Sequence, residues 1–251
     1  MEWWEIAIIA VAGLWAGLIN TVVGSGTLVT FPVLVALGYP PVTATTSNAI
    51  GLITGTITGA IGYRKELEGQ GGRLVRYGIA SLLGAIVGAA LLLSLPPDAF
   101  ETIVPVLVGL AVVLVAVQPL LSRRLKQRET PKDRSSSPVV YLLIFLVGIY
   151  GGYFTAAQGI MLVGIMGLLL ADSLQRLNAF KNALSAIVNL VAGIIYAFVA
   201  PVSWPVVAIL AVSSIVGGFL GAKVGRRLPP TVLRGVIIVI GVSAVVYLLV
   251  M

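Results

Sequence analysis

Apolar residues dominate eight runs of this chain, roughly 3–37, 42–63, 77–95, 99–121, 138–171, 179–200, 205–225 and 231–251, and most of the charged residues fall in the intervals between them. About 20 such residues in a row span the hydrocarbon of a bilayer as one α-helix. The pattern therefore predicts an all-α integral membrane protein. The first and fifth runs are longer, and glycine interrupts each near its middle, at Gly24-Ser25-Gly26 and at Gln158-Gly159. Each is expected to form a full helix followed by a short one, or a re-entrant hairpin. The remaining runs supply three full transmembrane helices to each half. Residues 122–137, with Pro131 and Ser135-Ser136-Ser137, form the only clearly polar stretch. They divide the chain into a first repeat (1–121), a cytoplasmic linker (122–137) and a second repeat (138–251).

The two halves repeat each other in wording as well as in hydropathy. Gly13-Leu14-Trp15-Ala16-Gly17 returns as Gly148-Ile149-Tyr150-Gly151-Gly152, and Asn48-Ala49 returns as Asn182-Ala183. Ser81-Leu82-Leu83-Gly84-Ala85-Ile86-Val87-Gly88-Ala89, followed by Pro96-Pro97, returns as Ser214-Ile215-Val216-Gly217-Gly218-Phe219-Leu220-Gly221-Ala222, followed by Pro229-Pro230. Gly13, Gly17, Gly148 and Gly152 have the small-xxx-small spacing of packed helices, which suits a homo-oligomer contact as well as packing within one chain.

Charge distinguishes the copies. Every Lys and Arg falls in one of four clusters: Arg64, Lys65, Arg73, Arg76; Arg123, Arg124, Lys126, Arg128, Lys132, Arg134; Arg176, Lys181; and Lys223, Arg226, Arg227, Arg234. With all four clusters cytoplasmic, both termini and the turns at 39–42, 96–101 and 200–205 lie outside, and the positive-inside rule holds throughout. Each half then makes an odd number of crossings, so the copies are inverted. A tandem bundle of eight simple helices is the alternative. Trp3, Trp4, Tyr39 and Trp204 are expected in an outer aromatic belt, and Tyr63, Tyr77 and Tyr141 in an inner one. The start, Met1-Glu2-Trp3-Trp4-Glu5, lacks the basic opening of a signal peptide, so the first run is expected to remain in the mature protein.

Composition narrows the chemistry. The chain is 59% hydrophobic and 10% charged, with a mean hydropathy of +1.08. Its net charge of +7 sits in loops between spans, a sign of topology in a lipid bilayer and not of nucleic-acid binding. Without Cys or His it has no thiol chemistry and lacks the commonest metal ligand and proton shuttle. No enzyme, cofactor or metal site is expected. Glu101 and Asp172 read as ordinary loop charges.

What remains is amides, hydroxyls, backbone and a few charges. A helix that begins inside a membrane presents unpaired N–H groups and a positive dipole end, which attract an anion. Two such starts are expected, one after Gly24-Ser25-Gly26 at Thr27 and one after Gln158-Gly159, with Thr21 and Thr155 adding donors. The next helices open with Thr45, Thr46, Ser47 and Asn48 in one half and with Asn178, Lys181, Asn182, Ser185 and Asn189 in the other. Lys181 is either an anion ligand or a lysine snorkelling to the inner interface; its closeness to Arg176 favours snorkelling.

These features together resemble the TauE/SafE family of sulfite and organosulfonate exporters. The resemblance rests on Gly13, Gly17, Gly24 and Gly26 leading into Phe31-Pro32-Val33-Leu34; on Ala44-Thr45-Thr46-Ser47-Asn48-Ala49; and on Arg176-Leu177-Asn178-Ala179-Phe180-Lys181-Asn182 with Asn189. It implies export of a small sulfur-containing or organic anion such as sulfite, sulfoacetate or a related carboxylate. The inverted repeats make alternating access the expected mechanism, with an anion channel or a non-transport membrane protein as alternatives. The expected substrate site comprises Gly24, Ser25, Gly26, Thr27, Ser47, Asn48, Gln158, Gly159, Lys181 and Asn182.

Overall fold

A computed structural model of the chain describes residues 1–127, 134–224 and 230–250, and these form helices and short connections with no strand among them. The helices are α1 (Trp3–Val22), α2 (Thr27–Ala36), α3 (Pro41–Gly51), α4 (Ile53–Gly62), α5 (Gly71–Ser94), α6 (Pro97–Gln127), α7 (Pro138–Tyr153), α8 (Gln158–Leu169), α9 (Leu174–Val199), α10 (Trp204–Val224) and α11 (Pro230–Val250). Five of them, α1, α5, α6, α9 and α10, are long and apolar enough to cross a membrane. Large apolar side chains such as Val106, Phe198, Val212 and Val239 are exposed around the outside, a surface suited to lipid rather than water. Of the expected linker 122–137, residues 122–127 continue α6 and 134–137 lead into α7, so the polar stretch does not begin as a loop at 122; residues 128–133 lie outside the described residues.

Close backbone approach builds two long seams. Gly17 faces the backbone of Ser214 and Gly218, and Gly217 faces that of Leu14 and Leu18, so α1 lies along α10. Gly84 faces Phe145 and Gly148, and Gly88 faces Ile149 and Tyr153, so α5 lies along α7. In both seams the contacts advance in the same direction along the two chains, which makes each pair parallel. A Cβ on Gly17, Gly84, Gly88 or Gly217 would stand 2.0–2.4 Å from a partner carbonyl oxygen. The repeated glycines are therefore packing positions, as small-xxx-small spacing leads one to expect.

The helix ends sort into two groups. Arg73 at the start of α5 binds Asp172 just before α9, Tyr77 donates its hydroxyl hydrogen to the carbonyl of Ser135, and the Arg134 N–H bonds the Leu169 carbonyl. At the other group, Thr46 donates to the Pro201 carbonyl, and Ser47 Oγ accepts the N–H of Ser203. A cavity of about 650 Å³ joins Gly38–Pro41, Asp98–Thr102 and Leu248.

Several further sequence expectations are corrected by the helices themselves. The run 42–63 is not one straight helix: it divides at Leu52, where Thr56 Oγ1 bonds back to the carbonyls of Leu52 and Ile53, a contact that bends helices. The second interruption is not at Gln158-Gly159 but at Phe154–Ala157, where Thr155 and Ala157 take left-handed φ values of 69° and 58°; Gln158 and Gly159 open α8 instead. Tyr63 and Tyr77 are buried, so neither stands in a lipid-facing belt. Asp172 is no ordinary loop charge: its carboxylate, 4% exposed, bridges Arg73 at 2.7 Å and Arg176 at 3.0 Å. Arg73 in turn lies over the rings of Tyr77 and Phe180.

Candidate functional site

The two interruptions touch. Gly24 ends α1 with a left-handed φ of 93°, its N–H reaching back to the Ile19 carbonyl, a conformation glycine adopts without strain. Its own carbonyl accepts the N–H of Gly159 at 3.1 Å, linking the interruption in one half to the first turn of α8 in the other. A Cβ on Gly24 would lie 2.7 Å from the Cα of Gly159, and one on Gly159 would lie 2.6 Å from the Cα of Gly24. The Lys181 stem covers both glycines, its Cδ about as close to each of those positions. Only glycine fits either place.

Lys181 is 0% exposed, so the snorkelling expectation is wrong. Its ammonium donates to the carbonyls of Asn20 at 3.0 Å and Thr21 at 2.8 Å. These belong to the last turn of α1, whose carbonyls have no partner within the helix and carry the negative end of its dipole. Lys181 thus caps a helix of the other half. Asn182 adds a longer bond to the same Thr21 carbonyl, 3.4 Å from Nδ2. The ion pairs among the described residues are Met1 with Glu5, and Arg73 and Arg176 with Asp172; none gives Lys181 a carboxylate.

The start of α2 is tied into this cluster. Gly26 donates its N–H to Asn20 Oδ1 at 2.8 Å, and Asn48 donates Nδ2 to Thr27 Oγ1 at 3.1 Å. Thr30 donates its hydroxyl hydrogen to Asn48 Oδ1. Ser25 Oγ is buried beside them without a partner. Gln158 is also buried, its side chain pressed on Gly151, and both of its amide atoms are unpaired. Gly159 uses its N–H on Gly24, so that donor at the start of α8 is taken in this conformation.

Of the expected residues, Gly24, Gly26, Thr27, Asn48, Gly159, Lys181 and Asn182 are joined by these contacts, and Ser25 and Gln158 are their chain neighbours. Ser47 stands apart, bonded to Ser203 at one end of the bundle, and Thr46 does likewise at Pro201. Thr155 bonds the Gly151 carbonyl, while Asn178 and Ser185 are half-buried. Two participants went unread in the sequence. Asn20 was visible as an amide within an apolar run just before the glycines. Thr30 is recognisable only once α3 is seen against α2.

A model of the sulfite exporter TauE/SafE family matches residues 9–248. The chain is 25% identical over 224 residues to the probable membrane transporter protein YfcA of Escherichia coli K12, an alignment covering 89% of this chain and 80% of that protein. It is equally identical to the probable membrane transporter protein ORF9 of a Sinorhizobium species, with 88% and 82% covered. To a probable membrane transporter protein of Haemophilus influenzae it is 24% identical over 235 residues, covering 93% of this chain and 90% of the other.

Proposed function

We infer function from family and site together: the chain belongs to the sulfite exporter TauE/SafE family, and its relatives carry the names of membrane transporters. Our reading is a multi-pass carrier that moves a small anion, sulfite, an organosulfonate or a related carboxylate, out of the cytoplasm by alternating access. One observation carries the choice of an anion. Lys181 is a fully buried lysine without a carboxylate partner, at the point where the two interrupted helices meet. Burying a lone charge costs several kcal/mol unless it is paired, and in a membrane such a group marks the path of a charged substrate.

The proposed mechanism follows from who holds whom. Lys181, from the second half, rests on backbone carbonyls of the first. An anion entering beside Gly24 and Gly159 would take the ammonium from those carbonyls and gain the amides of Asn48 and Asn182. It would thereby loosen a bond between the halves at the moment it binds. Rocking of one half against the other then exposes the anion on the far side.

Inverted repeats are part of this proposal. Support comes from the exchanged seams, in which the first helix of each half lies along the corresponding later helix of the other. It comes also from the ends: α9 begins beside the start of α5 and finishes where α10 begins, so the parallel pairs α5/α7 and α1/α10 run in opposite senses. The burial of Ser25, Asn48, Gln158, Lys181 and Asn182 fits an occluded carrier better than an open pore. Basic loops facing the cytoplasm, with both termini outside, complete the reading.

The test is counterflow. Purified protein is reconstituted into liposomes preloaded with unlabelled sulfite, and radiolabelled sulfite is added outside. A carrier gives saturable uptake with a transient overshoot. Unsaturable equilibration without overshoot indicates a channel, and no uptake with sulfite, sulfoacetate or carboxylates rejects the anion reading.

A further inference from the structure

Beyond the contacts of Lys181 lies a second group of buried polar atoms with no work assigned. Asn189 and Gln158, both at least nine-tenths buried, have neither amide oxygen nor amide nitrogen hydrogen-bonded, and the hydroxyls of Tyr150 and Tyr153 are also unpaired. A buried polar atom left unpaired costs about 1–3 kcal/mol, so such a group persists where something else satisfies it.

The contacts made by their chain neighbours draw these residues towards one region of the fold. Asn182, Asn189 and Tyr196 lie along one line of α9, because seven residues make about two full turns. Asn182 reaches the Thr21 carbonyl at one end of this line, and Tyr196 donates its hydroxyl hydrogen to the Gly152 carbonyl at the other. Asn189 stands between them, about 10 Å along the axis from each. Gln158 is tied to the two ends of this line through its neighbours: its amide lies on Gly151, next to the Gly152 that Tyr196 bonds, while Gly159 carries the stem of Lys181, next to Asn182. Tyr150 and Tyr153 flank Gly151 and Gly152 on α7.

The chemistry of these atoms selects their ligand. Sulfite in its fully ionised form, like any bare oxyanion, offers acceptors only. It would satisfy the amide nitrogens and leave Gln158 Oε1 and Asn189 Oδ1 bare. A group that both donates and accepts satisfies both edges of an amide. We propose that Gln158 and Asn189 form a second subsite, next to the Lys181 anion site, that binds a hydroxyl or amine on the tail of an organic anion. This rests on the reading of Lys181 as the anion ligand. The physiological substrate is then a short organic anion bearing a hydrogen-bond donor at its far end, in preference to an inorganic oxyanion.

A matched pair of sulfonates tests it on the purified full chain by calorimetry and ligand-induced thermal shift. Ethanesulfonate and 2-hydroxyethanesulfonate share the charged head and differ in one hydroxyl. The hydroxylated anion is expected to bind about tenfold more tightly, as a well-made buried hydrogen-bond pair permits. In Asn189→Leu, a variant with the same branching and number of side-chain heavy atoms, that preference should vanish while ethanesulfonate binds as in the wild type. Retained ethanesulfonate binding also shows that the variant is folded. Equal affinities in the wild type, the result if water alone satisfies the amides, overturn the subsite, as does a preference that survives in Asn189→Leu. Failure of both sulfonates and of carboxylates to bind the wild type instead overturns the anion site, and the subsite with it.

Discussion

Replacing Lys181 by Met separates the two roles a buried lysine can have. Met keeps an unbranched apolar stem over Gly24 and Gly159 and removes the ammonium. The carbonyls of Asn20 and Thr21 then lose a charged donor. An orphaned buried acceptor costs about 1–3 kcal/mol, and the Thr21 carbonyl keeps a bond from Asn182, so the loss is about 2–4 kcal/mol. Against this stands relief from burying an unpaired charge, several kcal/mol after relaxation. The two nearly cancel, and the expected change in folding stability is within about 2 kcal/mol of zero. Anion binding behaves differently. At a ligand concentration about 100-fold above Kd, the wild type gains about 2.7 kcal/mol of apparent stability, and Lys181→Met should gain almost none. The assay is thermal unfolding in detergent with and without sulfite and sulfoacetate. A Met variant that keeps the full anion-induced shift refutes Lys181 as a ligand, and one that fails to fold shows the ammonium to be a structural cap.

Gly159→Ala places a Cβ 2.6 Å from the Cα of Gly24, a backbone atom that cannot swing away; it should destabilise the protein by about 1–3 kcal/mol and lower transport more than surface expression. Unfolding curves and vesicle flux check this, and wild-type values in both would show that the interruptions do not need their close contact. Asp172→Asn removes the carboxylate shared by Arg73 and Arg176. Because both arginines retain access to solvent, the expected loss is about 1–3 kcal/mol rather than the larger cost of a fully buried pair. The loss should shrink as salt is raised, and a salt-independent loss would assign it to packing instead.

The sequence made the membrane class legible through the length of its apolar runs, and its paired glycines and asparagines carry the repeats on which the proposed inversion rests. Gly13, Gly17, Gly148 and Gly152 were readable as seams because close helix approach demands small residues. The place where α7 ends was not, since its interruption is carried by Thr155 and Ala157, residues with no preference for left-handed backbone. The bend at Leu52 was hidden for a similar reason: a threonine back-bond leaves no mark on hydropathy. Lys181 misled because its neighbour in sequence is Arg176, at a charged helix start, whereas its neighbours in space are Gly24, Gly159 and the end of α1. Asp172 misled in the same way, since Arg73 lies in the other half of the chain.

The most direct test of a shared, alternately exposed site is two-sided labelling at Ser25. The chain has no cysteine, and Ser25→Cys introduces one thiol of nearly the same size at a position that is fully buried in this conformation. Membrane-impermeant thiol reagents are applied to each face of sealed vesicles in turn, with and without sulfite or an organosulfonate. Alternating access predicts labelling from both faces, slowed by the anion on each. Reaction from one face only, or rates indifferent to every anion tested, would contradict it.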